Sequence, residues 1–335
     1  MKIAVFEVEK WEEDAFRQLS AEHELEFSGD ELGMENAGRY RAAEVLSTFI
    51  YSRLDSEVLN QFGNLKLIAT RSTGFNHIDT DYCNQRGIIV CNVPSYGENT
   101  VAEHVFGLLL AISHNLLEAA ERTRKGDFSL KGLKGFDLRG KTIGVVGTGH
   151  IGRRVVEIAK GFQMDVLAFD LNPDESFASQ LSFRYTDMDE LFSTSDVITL
   201  HVPASEKTRH LISHDEFEKM KDGVILINTA RGSVVDIKAM VEAISRGKVR
   251  AAGLDVLPEE PAMREEAELV RRAFGEKHNL DTLLAGHILL RLRNVIITPH
   301  SAFFTREAIE RILDTTVKNI EAFIRSKPEN LVAGR

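Results

Sequence analysis

The stretch Thr142-Ile-Gly-Val-Val-Gly-Thr-Gly-His-Ile-Gly152 constrains the fold of this chain more than any other. Thr142–Val146 is an apolar run of strand length. Residues 147–152 form a G-x-G-x-x-G turn, and Arg153–Lys160 continues with helical spacing. A second apolar run, Asp165–Phe169, ends on Asp170. Strand, glycine turn, helix and strand in that order make a βαβ unit of the kind that binds dinucleotides. Gly147 permits the tight turn, Gly149 lets backbone approach a pyrophosphate, and Gly152 lets helix and strand pack closely. The helix N-terminus offers N–H groups and a partial positive charge to phosphate. Asp170, 23 residues after Gly147, can accept hydrogen bonds from the adenosine ribose. An acid there disfavours a 2′-phosphate, and Leu171–Asp174 holds no Arg or Lys. The expected cofactor is NAD rather than NADP.

A length of 335 residues suggests about two domains. The formal net charge is −10 and no Lys/Arg-rich block occurs, which argues against a nucleic-acid partner. Cys83 and Cys91 form no C-x-x-C pair, and their expected state is reduced. No His, Cys, Asp or Glu group has metal-ligand spacing, so no metal is expected. The chain opens directly as a strand, with no signal-peptide pattern. The apolar run Val105–Ile112 is eight residues long, far below the ~20 needed to cross a bilayer. These features read as a cytoplasmic protein without a membrane partner.

Apolar runs of strand length at 3–6, 45–50, 65–69 and 88–91 alternate with helical stretches, which means a parallel sheet with helices on its faces. The turn Arg71–Asp79 follows the third run and is a candidate substrate loop, within which His77 and Asp79 read as local caps of the next helix rather than as functional residues. Pro94 breaks the pattern, and Ser95–Asn99 reads as a hinge. Thr100-Val-Ala-Glu103 has the form of a capping box opening a long helix to about Arg122. That helix is apolar on several sides, so it is buried within its domain or against a second subunit. Lys125–Gly140 reads as an exposed loop. After the fingerprint, strands are expected at 197–201, 224–228, 250–255 and 295–298, completing a six-stranded sheet. Residues 258–286 read as a charged helical insertion, and 305–325 as an amphipathic tail. Because the glycine fingerprint lies mid-chain, the cofactor domain follows or interrupts a separate α/β domain.

Three charged residues follow expected strands of the second sheet: Arg231, Glu260 and His300. They should gather at its carboxyl edge, beside a nicotinamide. An arginine can grip a carboxylate in two-point fashion. A histidine can exchange a proton with a substrate oxygen near neutral pH. A glutamate beside it would orient the ring and favour imidazolium. Each also has a plainer reading: a surface ion pair, an acidic Pro-Glu-Glu-Pro turn, a turn residue after proline. Neither a G-x-S-x-G elbow nor a Tyr-x-x-x-Lys pair occurs, which leaves out two other catalytic designs.

The chain resembles the D-isomer-specific 2-hydroxyacid dehydrogenases over nearly its whole length. The resemblance rests on Gly147–Gly152, Met220–Asp236, Gly253-Leu-Asp-Val followed by Glu-Glu-Pro261, and Thr298-Pro-His300. Arg71–Asp79, Val93–Tyr96, Val101–His104 and Phe303-Phe304 resemble the fermentative D-lactate dehydrogenase branch in particular. The resemblance implies that Arg231 binds the substrate carboxylate, that His300 is the acid/base and that Glu260 is its partner. It places His150 and Ile151 at the pyrophosphate, Asp170 at the ribose and Asp255 near the nicotinamide. Val202, Pro203, Thr208, Thr229 and Ala230 would line the cofactor. Thr73 and Gly74 would hold the carboxylate by their backbone, and Tyr96 and Phe304 would shape the pocket.

The implied architecture is α/β: two doubly wound parallel-sheet domains, with a Rossmann cofactor domain (100–298) inserted into a flavodoxin-like substrate domain (1–99 plus 299–335). A dimerisation arm near 100–140 would make a homodimer. Closure about 97–100 and 299 would exclude water from the reaction. The implied activity is NAD-dependent reduction of pyruvate to D-lactate. The alternatives are the same chemistry on glyoxylate, hydroxypyruvate or an aromatic or branched keto acid, or a non-catalytic NAD(H)-sensing protein of corepressor type. The forty residues from Glu260 to His300 are more than this branch leads one to expect.

Overall fold

The computed structural model describes residues 1–258 and 280–333. Its strands are β1 Lys2–Val5, β2 Glu24–Phe27, β3 Val45–Thr48, β4 Leu67–Thr70, β5 Ile89–Cys91, β6 Thr142–Val146, β7 Asp165–Phe169, β8 Arg184–Tyr185, β9 Val197–Leu200, β10 Val224–Asn228, β11 Val249–Leu254, β12 Val295–Ile297 and β13 Leu331–Ala333. The chain divides into two compact units, Met1–Tyr96 with Phe304–Arg335, and Gly97–Phe303.

In the first unit the strand order is β13-β5-β4-β3-β1-β2, parallel except for β13, which runs antiparallel to β5. The strands β3 and β4 are buried at every residue, as parallel strands covered on both faces must be. Phe6, Leu46, Leu59, Phe62 and Ile68 are among the fully buried side chains on one face. Burying each contributes about 1.5–3 kcal/mol relative to exposure. Two strands escape the sequence pattern. β2 reads Glu-Leu-Glu-Phe at a sheet edge with Glu24 exposed and the other three residues half-buried, and β13 is a three-residue return.

In the second unit the order is β12-β11-β10-β9-β6-β7-β8, all parallel. This is one strand more than the six expected, because β8 is a two-residue edge strand too short to show any period. The order reverses between β6 and β9, the switch point where open α/β sheets bind ligands. Val155, Val156 and Ala159 of the helix His150–Gly161 pack on one face with Ile143, Val145 and Val166, while Leu191, Phe192, Phe217 and Met240 cover the other.

The long helix departs from expectation in two ways. It begins at Glu98 with Gly97 as N-cap, so Thr100 is its third residue and no capping box forms there. It also ends at Ser113, and a second helix, Leu116–Arg124, follows a left-handed Asn115. The break is imposed from outside. Phe136 N–H bonds to the carbonyl of Ser113 at 3.0 Å, and Gly135 sits so close that a Cβ would lie 2.1 Å from that oxygen. Among the described residues no single helix is long and apolar enough to cross a membrane. A helix at Leu280–Arg291 ends the inserted segment, and the rest of the 258–286 insertion lies outside the described residues.

Candidate active site

The fingerprint turn has the shape its glycines require. Gly147 takes φ +94°, and a Cβ there would lie 2.7 Å from the carbonyl of His201. A Cβ on Gly152 would meet the Gly147 carbonyl at 2.0 Å, whereas one on Gly149 would meet nothing within 4 Å. Two glycines therefore serve packing and the middle one faces open space. The first backbone bond of the helix runs from Arg153 N–H to the Gly149 carbonyl, 3.0 Å. The N–H groups of His150, Ile151 and Gly152 precede it, as an anion site at a helix start needs. The Ile151 side chain packs into the core, so its expected contact with pyrophosphate is by backbone only.

Asp170 follows β7. One of its carboxylate oxygens accepts from Thr148 N–H at 2.7 Å and from the Thr148 hydroxyl at 3.0 Å, and the other accepts from Asn172 N–H at 2.9 Å. Burial pushes this carboxyl up, but the donors of Asn172 and Thr148 outweigh it and hold it below the usual range. The neighbouring cation, Arg153, is engaged by Asp174 at 2.7 Å and lies over the Phe177 ring.

On the other side of the switch point, β9 ends in His201, Val202 and Pro203. His201 bonds Thr199 through Nε2 at 2.9 Å, and burial holds its pKa down at about 3, so the ring is neutral. Pro203 and Thr208 belong to one turn, since the Thr208 hydroxyl donates to the Pro203 carbonyl at 2.6 Å. Thr229 is buried, and its hydroxyl meets no partner among the described residues. An orphaned hydroxyl on this edge, an open glycine and unpaired helix N–H groups fit a dinucleotide.

Arg231 stands on a turn organised by Asn228, the last residue of β10. The buried Asn228 amide donates to the Arg231 carbonyl and accepts from Ala230 N–H, both at 3.0 Å. Gly232 allows the chain after β11 to pass close by; a Cβ there would lie 2.2 Å from the Leu257 carbonyl carbon. The Arg231 guanidinium donates to the Ala230 carbonyl at 2.7 Å and is otherwise on the exposed side of the turn.

His300 follows β12 in a left-handed conformation, φ +54°. Its N–H bonds the carbonyl of Asp255 at 3.0 Å. The Asp255 side chain, 1% exposed, accepts from the Thr298 hydroxyl at 2.5 Å and from the N–H groups of Ser301 and Ala302 at 2.9 Å each. Asp255 is thus the anchor of the His300 turn, a role sequence alone did not suggest. Arg231, Asp255 and His300 follow β10, β11 and β12, three adjacent parallel strands, at one edge of the sheet. Glu260 lies outside the described residues.

In the Met1–Tyr96 unit the turn after β4 is held from several sides. Thr73 donates its hydroxyl to the Val93 carbonyl at 2.8 Å, and Asn92 donates to the Thr73 carbonyl at 2.8 Å. Ser72 donates to the Gly74 carbonyl at 2.6 Å. Asp79 caps the next helix by accepting from Tyr82 N–H, whereas His77 instead bonds Thr70 at 3.2 Å. Below the turn, fully buried Arg71 donates to the carbonyls of Phe6 and Glu7. Tyr96 accepts from Arg311 through its carbonyl at 2.7 Å, and Phe304 is 61% exposed.

The model of the D-isomer specific 2-hydroxyacid dehydrogenase NAD-binding domain matches residues 106–302. The D-lactate dehydrogenase of Escherichia coli strain K12 is 37% identical over 328 residues, covering 96% of each chain. An aromatic 2-oxoacid reductase of Clostridium sporogenes is 33% identical over 96% of each chain. Among solved structures, the D-lactate dehydrogenase of Aquifex aeolicus, complexed with NAD and lactic acid, matches with a TM-score of 0.85 at 36% identity, covering 99% of each chain. With its glycine cradle and doubly wound sheet, the chain belongs to the family of NAD-dependent D-isomer-specific 2-hydroxyacid dehydrogenases.

Proposed function

We infer that this oxidoreductase interconverts pyruvate and D-lactate, with His300 as the acid/base and Arg231 as the carboxylate-binding residue. The observation that carries this reading is the placement of Arg231 and His300 after β10 and β12, either side of Asp255, at the edge of the sheet that bears the dinucleotide turn. Bound NADH supplies the hydride. Arg231 holds the keto acid by its carboxylate and polarises the adjacent carbonyl through its fork of donors. His300, protonated, gives its proton to the carbonyl oxygen as that oxygen becomes a hydroxyl, and takes it back in the reverse direction. Glu260 is the partner of His300 in this scheme. The backbone of Thr73 and Gly74 adds donors for the carboxylate, and Tyr96 and Phe304 select the substrate side chain.

Val202, Pro203, Thr208, Thr229, Ala230 and the N–H groups of His150 and Ile151 hold the cofactor, with Asp170 on the ribose. The exposed Leu116, Leu117, Phe128 and Leu130 support a dimerisation arm and hence a homodimer, which light scattering on the purified protein would test. The two free, buried cysteines suit a reducing compartment, the cytoplasm.

A larger keto acid is the second reading, supported by 33% identity to an aromatic 2-oxoacid reductase. NADH oxidation with pyruvate, 2-ketobutyrate, phenylpyruvate, glyoxylate and hydroxypyruvate, followed by chiral analysis of the product, decides between them. Preference for pyruvate with D-lactate formed supports the first reading. Preference for phenylpyruvate keeps the chemistry and changes the substrate. Tight NADH binding with no turnover on any acid points to a sensor.

A further inference from the structure

His104 lies on the helix Glu98–Ser113, outside every motif that the chemistry above uses. Its Nε2 is 3.0 Å from the Thr298 hydroxyl and 3.5 Å from Oδ1 of Asp255. The proton inventory of this cluster fixes its direction. Thr298 has one O–H, and it goes to Asp255. The Thr298 oxygen can therefore only accept from His104, so Nε2 carries a hydrogen and donates it. The chain of bonds runs His104 to Thr298 to Asp255, and Asp255 holds the N–H groups of Ser301 and Ala302 on its two oxygens.

The contact follows from how helix and strand meet. Gly253 of β11 has no side chain, and a Cβ there would lie 2.9 Å from Cβ of Leu108, so the helix comes down directly on the strand. His104 is one helical turn before Leu108, and Asp255 is two residues beyond Gly253 on the same strand face. Four helical residues advance about 6 Å and two strand residues about 6.6 Å. The two steps match, which brings His104 to Asp255 once Leu108 is seated on Gly253.

We propose that His104 is a positioning residue that fixes the left-handed turn of His300 through Thr298 and Asp255. A residue with a Cβ holds φ +54° only where its surroundings impose it. Here the restraints on either side of His300 converge on Asp255, and His104 sets the Thr298 side of that carboxylate. The proposal rests on His300 being the proton donor.

The test compares His104→Leu, His104→Gln, Thr298→Val and His300→Gln in the full chain with NADH and pyruvate, and follows the His300 imidazole resonances by NMR. Glutamine can still donate to Thr298, while leucine cannot. His104→Leu and Thr298→Val are expected to lower kcat roughly tenfold, with pyruvate KM, NADH affinity and Tm nearly unchanged, since small misplacement of a catalytic group costs rate before binding. The His300 resonances should shift in both, and their double variant should be no worse than the worse single. His104→Gln should recover kcat to within about twofold and restore the resonances.

Unchanged kcat and resonances in His104→Leu would overturn the proposal. So would equal damage in the leucine and glutamine variants, or a parallel loss of NADH affinity and Tm, because each means packing rather than hydrogen bonding. Full activity in His300→Gln sinks instead the proton-donor reading. The resonances then still decide whether His104 fixes the turn.

Discussion

One carboxylate oxygen of Asp170 takes both the backbone N–H and the hydroxyl of Thr148, so the acid at the end of β7 is clamped to the glycine turn that follows β6. The clamp brings an acid 23 residues downstream onto the glycine turn. It also fixes where its negative charge stands; if the adenosine ribose binds beside this turn, that charge is what a 2′-phosphate would meet.

Asp170→Ala should therefore weaken the preference for NADH over NADPH. Removing a like-charge clash worth about 1.4 kcal/mol or more lowers the ratio of kcat/KM values at least tenfold. Steady-state rates with both cofactors check this, and an unchanged ratio would remove Asp170 from cofactor selection. The pH dependence has a definite sign. Because the folded carboxyl is held below its ordinary range, it stays ionised from about pH 5 to pH 9, so a change in wild-type preference over that window should follow only the 2′-phosphate, whose second pKa is about 6. The stability that its bonds contribute is present above the unfolded-state pKa and is lost only as pH falls through the lower folded value.

Gly152→Ala tests the cradle from its packing side. The added Cβ would lie 2.0 Å from the Gly147 carbonyl, a backbone atom that cannot swing aside. The turn must open, at a cost of about 1–3 kcal/mol in stability, and the N–H groups of the helix start lose their alignment. NADH binding should fall beyond measurement in a fluorescence titration while the protein stays folded with a lower Tm. Wild-type NADH affinity would mean that the turn is plastic and the glycine incidental. Gly149→Ala is the control for space, since its Cβ meets nothing within 4 Å without a ligand.

The βαβ unit was legible because its signals are local. Buried parallel strands read as continuous apolar runs, and Gly147 and Gly152 each have a steric reason to be there. The alternation of strand and helix gave the α/β class on the same grounds. What stayed hidden was set by contacts distant in sequence. The helix break at Asn115 answers to Gly135 and Phe136, not to any proline or glycine of its own. β8, with two residues, has no period to detect. In sequence Asp255 and His104 read as an acid near a cofactor and a helix histidine that is merely packed or solvated. Their joint role appears only when β11, β12 and the helix Glu98–Ser113 are brought together.

Arg231→Lys separates a forked donor from a point charge. Asn228 holds the turn in place by two bonds that the substitution leaves intact, so the change is confined to the head group. Lysine keeps the charge but cannot grip both carboxylate oxygens in one plane. Pyruvate KM should rise and kcat/KM fall about a hundredfold, with NADH affinity unchanged. A kcat/KM within about threefold of wild type would show that the substrate carboxylate is held elsewhere.

His300→Gln addresses the proton. The glutamine side chain is polar and of similar reach, and the turn beneath it is held by Asp255 through bonds to Thr298, Ser301 and Ala302 that do not involve the imidazole. NADH affinity should therefore stay near wild type. If His300 supplies the proton, kcat falls by about 10²–10⁴, the usual range for removing a general acid. The loss should appear in both directions, pyruvate reduction and D-lactate oxidation, because one group gives the proton and takes it back. Activity within about tenfold of wild type, less than that range, would mean that another group or water protonates the substrate oxygen and that His300 serves only to shape the turn.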